Sequence, residues 1–236
     1  MKKFKILMAF AVVAVMMFAS CKKDASSSSS TLRVKAQASN NTFPVLKSGS
    51  LATPNFVWET CFINVSKIDF EAEKKESETS QGFSNIDFEW KGAKKIDLFN
   101  INSVIGEINL QSGVYEEISL EIKAYKADAG ASPVFYLSGT YTNATGAVIP
   151  ISVTVNEDIA FKAEAEGGTI LNAVNNYTSL INLNLALLMN GILQSDLDVA
   201  TLTNGKIVIS NASNISLYNK IKGNFNSSDH AEFNKD

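Results

Sequence analysis

Histidine and cysteine are nearly absent: the 236 residues hold one His and two Cys. A structural zinc site or an iron–sulfur cluster takes four such ligands where the chain has three, and a disulfide-stapled scaffold needs several cysteine pairs, so all three are excluded. A Ser-His-Asp triad would depend on His230, which lies in the polar tail Ser227-Ser228-Asp229-His230. Basic residues are not in excess. With 21 Lys and Arg against 24 Asp and Glu, the net charge of −3 leaves no footprint for a nucleic acid. No internal repeat and no D-x-D-x-D-G calcium loop is present. The sequence thus predicts no catalytic residue, no metal and no cofactor.

Met1 to Lys5 carries three lysines and no acid, and Ile6 to Ala19 is an unbroken apolar run. As a helix, fourteen such residues reach about 21 Å, short of the roughly 30 Å hydrocarbon core, so the pattern reads as a secretory signal over 1–20. The run ends Phe18-Ala19-Ser20-Cys21, which resembles the lipobox of bacterial lipoproteins. The resemblance implies cleavage before Cys21 and lipidation of its thiol, with two or more acyl chains holding the protein to a membrane at about 0.8 kcal/mol per buried methylene. Lys2, Lys3 and Lys5 depart with the leader, so 21 basic residues become 18 against 24 acidic ones. No Asp stands directly after Cys21, which favours the outer membrane, on either of its faces. Cys61, left as the one cysteine beyond Cys21, lies in an apolar run and is expected to be a buried, inert thiol.

Residues 21–42 hold the lipidated cysteine, a serine run and small polar residues, and read as a tether. From residue 43 to 236 the texture is that of one domain of short alternating runs. Ile63 and Val65 share one face and Ile68, Phe70 and Ala72 the next; the phase slips across Ser66-Lys67, as a β-bulge would make it. Ile86, Phe88 and Trp90 alternate up to a turn at Lys91-Gly92, and Ile105 to Leu110 forms a further strand. Tyr115 to Ala124, Val134 to Thr142, Ile149 to Val155 and Ile159 to Ala165 follow, the last broken by Gly167-Gly168. Residues 177 to 189 read as a strand ending in a helical turn. After a short strand at Ile207 and Ile209, Ser213-Asn214 caps a helix bearing Ile215, Tyr218, Ile221 and Phe225, and the tail from Asp229 frays. Eight or nine short strands predict an all-β fold: a two-sheet β-sandwich with Greek-key-like connections and a short C-terminal helix.

Trp90-Lys-Gly-Ala-Lys-Lys-Ile96-Asp97-Leu98 followed by Gly113-Val-Tyr115-Glu-Glu-Ile118-Ser-Leu120 is similar to the Bacteroidetes lipoprotein domain family numbered four-three-eight-two among domains of unknown function. Gly139-Thr-Tyr141 and Ile149-Pro-Ile151-Ser-Val153 extend the resemblance over residues 56 to 190. It implies an extracytoplasmic β-sandwich and carries no activity.

Asp69, Glu71 and Glu73 alternate onto one strand face with Lys67, Lys74 and Lys75 interleaved, the pattern of a solvated, charged edge that resists further pairing. Calcium binding or a carboxylate pair for hydrolysis would need these acids to converge. Trp58, Trp90, Tyr136, Tyr141 and Tyr177 could stack on a sugar; Trp58, beside polar Glu59 and Thr60, is the candidate ligand-binding residue. The expectation is a monomeric, non-catalytic, lipid-anchored module that contacts a glycan or an envelope or host protein. The alternatives are a structural subunit of a surface assembly or a transporter accessory, and a carboxylate-based hydrolase.

Overall fold

A computed structural model describes residues 29–40, 42–43, 56–76, 81–128, 131–172 and 175–235. The leader and Cys21 lie outside them. In chain order the first strands are β1 (Ser29–Ser39), β2 (Thr42–Phe43), β3 (Phe56–Lys75), β4 (Phe83–Asp97), β5 (Val104–Gln111) and β6 (Gly113–Ala124). Next come β7 (Phe135–Thr142), β8 (Val148–Val155), β9 (Ile159–Leu171) and β10 (Tyr177–Asn184). Two short helices, α1 (Leu185–Leu188) and α2 (Gln194–Asp198), precede β11 (Leu202–Thr203), β12 (Lys206–Ile209), α3 (Ile215–Ser228) and β13 (Asp229–Lys235). The protein is all-β, with two mixed sheets packed as a sandwich and a short helix near the C-terminus.

The smaller sheet runs β13-β10-β1-β5 and the larger β11-β12-β8-β7-β3-β6-β9, with β2 and β4 on the far edge of β3. The β7–β8 hairpin extends the sheet beyond one half of β3, and β9 crosses back to lie beside β6 at the other end, a Greek-key-like path. Alternation decides which faces are buried. Leu32, Val34 and Ala36 of β1 and Ile181 and Leu183 of β10 meet Ile68, Phe70, Ile118 and Leu120 from the larger sheet in one core. The other half of the larger sheet is covered by helices: the Phe135 ring meets Phe225 of α3 edge-on at 5.1 Å, and Tyr141 donates to Asp198 of α2 at 2.5 Å. Among the described residues no helix is long and apolar enough to cross a membrane.

Four expectations are corrected. Ser29–Ser39 is not tether: β1 pairs parallel with β10 and antiparallel with β5 and sits inside the smaller sheet, so the domain starts before residue 43. Lys91-Gly92 is not a turn but an irregularity inside one long β4, where Gly92 lies against the Trp90 ring. Gly167-Gly168 does not end β9; the pair falls at the register shift opposite Tyr115 and Glu117, and Gly168 takes φ +86° there. The tail from Asp229 is paired as β13 against β10, which places His230 opposite Asn182. Asn214 also differs in detail. Its side chain spans Thr201 and Val208 instead of capping α3, and its carbonyl accepts the first helical bond from Tyr218 N–H.

Candidate functional site

The cleft of interest is a consequence of one strand having two neighbours on the same edge. β3 pairs with β7 over Phe56 to Ile63 and with β6 over Lys67 to Lys74. Between those spans, at Asn64 to Ser66, the ladder is handed from one partner to the other, and the register with β4 shifts between Val65 and Lys67. This is the bulge that the phase slip at Ser66-Lys67 anticipates. An extra residue bends a strand and leaves it locally unpaired. The seam opens as a cleft of about 580 Å³, walled by Ala93 to Lys95 of β4 and by the segment that leaves β6.

That segment carries Tyr125, which is 47% exposed beside the cleft. Its backbone is tied down by side chains. Tyr125 N–H donates to Ser66 Oγ at 3.1 Å, Lys126 N–H to Asp158 Oδ1 at 2.7 Å, and Ala127 N–H to Asn156 Oδ1 at 3.0 Å. Asn156 Nδ2 returns a bond to Ala127 O at 3.1 Å. Opposite, Asn64 Nδ2 donates to Ser132 Oγ and to Pro133 O, fixing the entry to β7. Each such bond is worth about 0.5–1.5 kcal/mol, and together they fix the backbone of a segment outside regular structure that carries an exposed ring.

Three lysines and one acid, Asp128, line the cleft. Lys94 Nζ is occupied, donating to the carbonyls of Val104 and Ile105 at 3.1 and 2.7 Å. Lys95 Nζ lies 3.7 Å over the Phe62 ring, a cation–π contact that leaves the charge at the surface. Lys126 acts on Glu157, whose carboxyl is held below the usual range mainly by Lys222 and by the Tyr218 hydroxyl.

The rest of the outer face has the opposite character. Glu89, Lys67, Asp69, Lys123 and Glu121 form a chain of ion pairs across β4, β3 and β6. Burial alone would raise the Asp69 pKa, but hydrogen bonds from Lys67 and Lys123 outweigh it and hold the carboxyl below its ordinary value. Further along, Glu71 stands opposite Asp87 and Glu73 opposite Glu117, around a hollow of only about 110 Å³. Among the described residues no three His, Cys, Asp or Glu side chains are placed to hold a metal ion.

Trp58 is not a surface platform. It is 2% exposed, stacked on Phe56 with centroids 5.0 Å apart, and its indole N–H has no hydrogen-bond partner among the described residues. Tyr141 and Tyr177 are core residues too, with hydroxyls bonded to Asp198 and to the backbone around Ile170. Trp90 is half-buried against the core, and Tyr136 stacks on Phe62 at 5.2 Å. Polar neighbours misled at Trp58, because every second residue of a strand faces out while the one between packs in. Tyr125 follows directly on the Tyr115–Ala124 alternation; its signal is an aromatic just past the end of a strand, next to Lys126. Cys61 is fully buried, and burial with the nearby Asp97 charge pushes its thiol pKa far up.

No family model matches the chain, and neither a curated protein nor a solved structure does.

Proposed function

We propose that the protein is a lipid-anchored, non-catalytic binding module of the outer membrane, and that the cleft beside Tyr125 is its contact site. The exposed Tyr125 ring, set on a segment whose backbone is tied down, is the observation that carries this. A segment whose backbone is already ordered loses little further backbone freedom on binding. The lipobox-like Phe18-Ala19-Ser20-Cys21 and the likeness to domain family four-three-eight-two support the anchor and the location. With β1 starting at Ser29, seven residues separate it from Cys21, so the domain begins within about 28 Å of the lipid attachment. The module therefore works close to the membrane and not at the end of a long leash.

The test is protease accessibility on intact cells, with Cys21→Ala as the unanchored control, combined with crosslinking from position 125. Loss of membrane association in Cys21→Ala and envelope crosslinks from position 125 are expected. Retention of Cys21→Ala in the membrane, or an absence of crosslinks, would remove the proposal.

A second reading, a subunit of a surface assembly, is favoured by β4. Among the described residues this strand pairs only with β3, and Phe88, on the same face as Ile86 and Trp90, is 42% exposed. It predicts a partner that co-purifies stably and is lost on Phe88→Lys.

A further inference from the structure

We infer that the Tyr125 cleft takes an acidic saccharide, a short chain of pyranoses bearing carboxylate or sulfate groups; this rests on the binding-module assignment above. Its volume, about 580 Å³, lies within the range of about 300–1,000 Å³ typical of small-ligand clefts. Tyr125 offers an apolar ring face with a polar tip, the surface that the C–H face of a pyranose packs against. Lys95 and Lys126 supply two cations on opposite walls, one on β4 and one beside the ring, with Asp128 the one acid in the lining and Glu157 and Asp158 behind Lys126. Because Asn64 donates to Ser132 Oγ, the Ser132 hydroxyl proton is left for a ligand oxygen.

The same hydrogen bonds argue against a peptide. A peptide added as a strand draws its affinity from main-chain N–H and C=O groups. Here the N–H groups of Tyr125, Lys126 and Ala127 are consumed by Ser66, Asp158 and Asn156. Recognition is left to side chains, as suits a hydroxyl-rich, charged ligand.

The experiment is calorimetric titration of the protein extracted from its membrane in detergent. The probes are oligogalacturonate and heparin-derived tetrasaccharides, a neutral galactose oligomer of matched length, and a decaglutamate peptide. At least one acidic saccharide is expected to bind, more weakly as salt rises. Lys126→Gln should weaken it about three- to fivefold and Tyr125→Ala about tenfold. Equal, salt-independent binding of the neutral oligomer overturns the acidic class, and preference for decaglutamate overturns the saccharide class. Binding that ignores both variants overturns the site, and no binding by any probe overturns the inference. Crosslinks from position 125 that persist in these cases leave the binding-module assignment standing; if they vanish too, both fall.

Discussion

Gly139 of β7 stands directly opposite Trp58 of β3, and the two strands meet there so closely that no other residue fits. A Cβ at Gly139 would lie 2.7 Å from Trp58 Cα and 2.0 Å from the Val57 carbonyl oxygen. Both obstacles are backbone, which cannot swing aside. A register shift between Trp58 and Thr60 follows directly on the approach, while the indole enters the core by ordinary alternation, in phase with Phe56. Gly139→Ala is expected to cost at least about 3 kcal/mol. A thermal melt should read this as a drop of roughly 6–12 °C, and a variant melting with its parent would refute the close approach.

A chain starting at residue 43, where the alternating texture begins, should fail to fold. It lacks β1, and with it the Leu32 and Val34 side chains, whose burial stabilises by about 1.5–3 kcal/mol each. Loss of β1 also strips β10 and β5 of a shared hydrogen-bonding partner. Near-ultraviolet circular dichroism of the truncated chain should show no fixed aromatic packing, whereas a chain starting at Cys21 should melt cooperatively.

Acid should weaken the outer face through Asp69. Its folded pKa lies below that of the unfolded chain, so its stabilisation is complete above the unfolded value, near 3.9, and fades as pH falls through the folded one. Asp69→Asn should therefore lower stability at neutral pH and flatten the decline below about pH 4. Denaturant midpoints measured from pH 2 to pH 7 give the comparison; parallel curves for parent and variant would contradict it.

Amide exchange at Tyr125, Lys126 and Ala127 should be slow although the segment is neither helix nor strand. Each N–H has its own side-chain acceptor, so Ser66→Ala, Asp158→Ala and Asn156→Ala should each speed one amide at least about tenfold, at about 1 kcal/mol of stability. Exchange followed by nuclear magnetic resonance resolves the three. Uniformly fast exchange in the parent would mean that the segment is not held.

Much of the architecture is legible in single residues. The turn after β10 is one case: Asn184 ends an alternating run and its side chain accepts from the N–H groups of Ala186 and Leu187, starting α1 where the strand reading stops. β1 was legible in principle, since Leu32, Val34 and Ala36 alternate with Arg33, Lys35 and Gln37, but small alanines next to a serine run resemble a tether. β13 is too polar for periodicity to single out, and only the waiting edge of β10 makes it a strand. For the site, the Ser66-Lys67 slip marks the seam, while the expectation of an exposed Trp58 fails because the indole is buried, and Tyr125 is not among the aromatics that the sequence reading weighs.

The sequence by itself determined the leader-like run, the period-two alternation that makes the domain β, the bulge at Ser66, and the charged outer face. These are local properties, decided by neighbours within a few residues. Tertiary structure alone decided that β1 inserts beside a strand 145 positions later, with Leu32 opposite Tyr177, and that Gly139 admits Trp58 to the core. It also decided that β6 and β7 share one edge of β3 and leave a cleft between them. Alternation fixes which side chains share a face, but it does not say which strand will lie alongside, because every strand edge offers the same N–H and C=O groups.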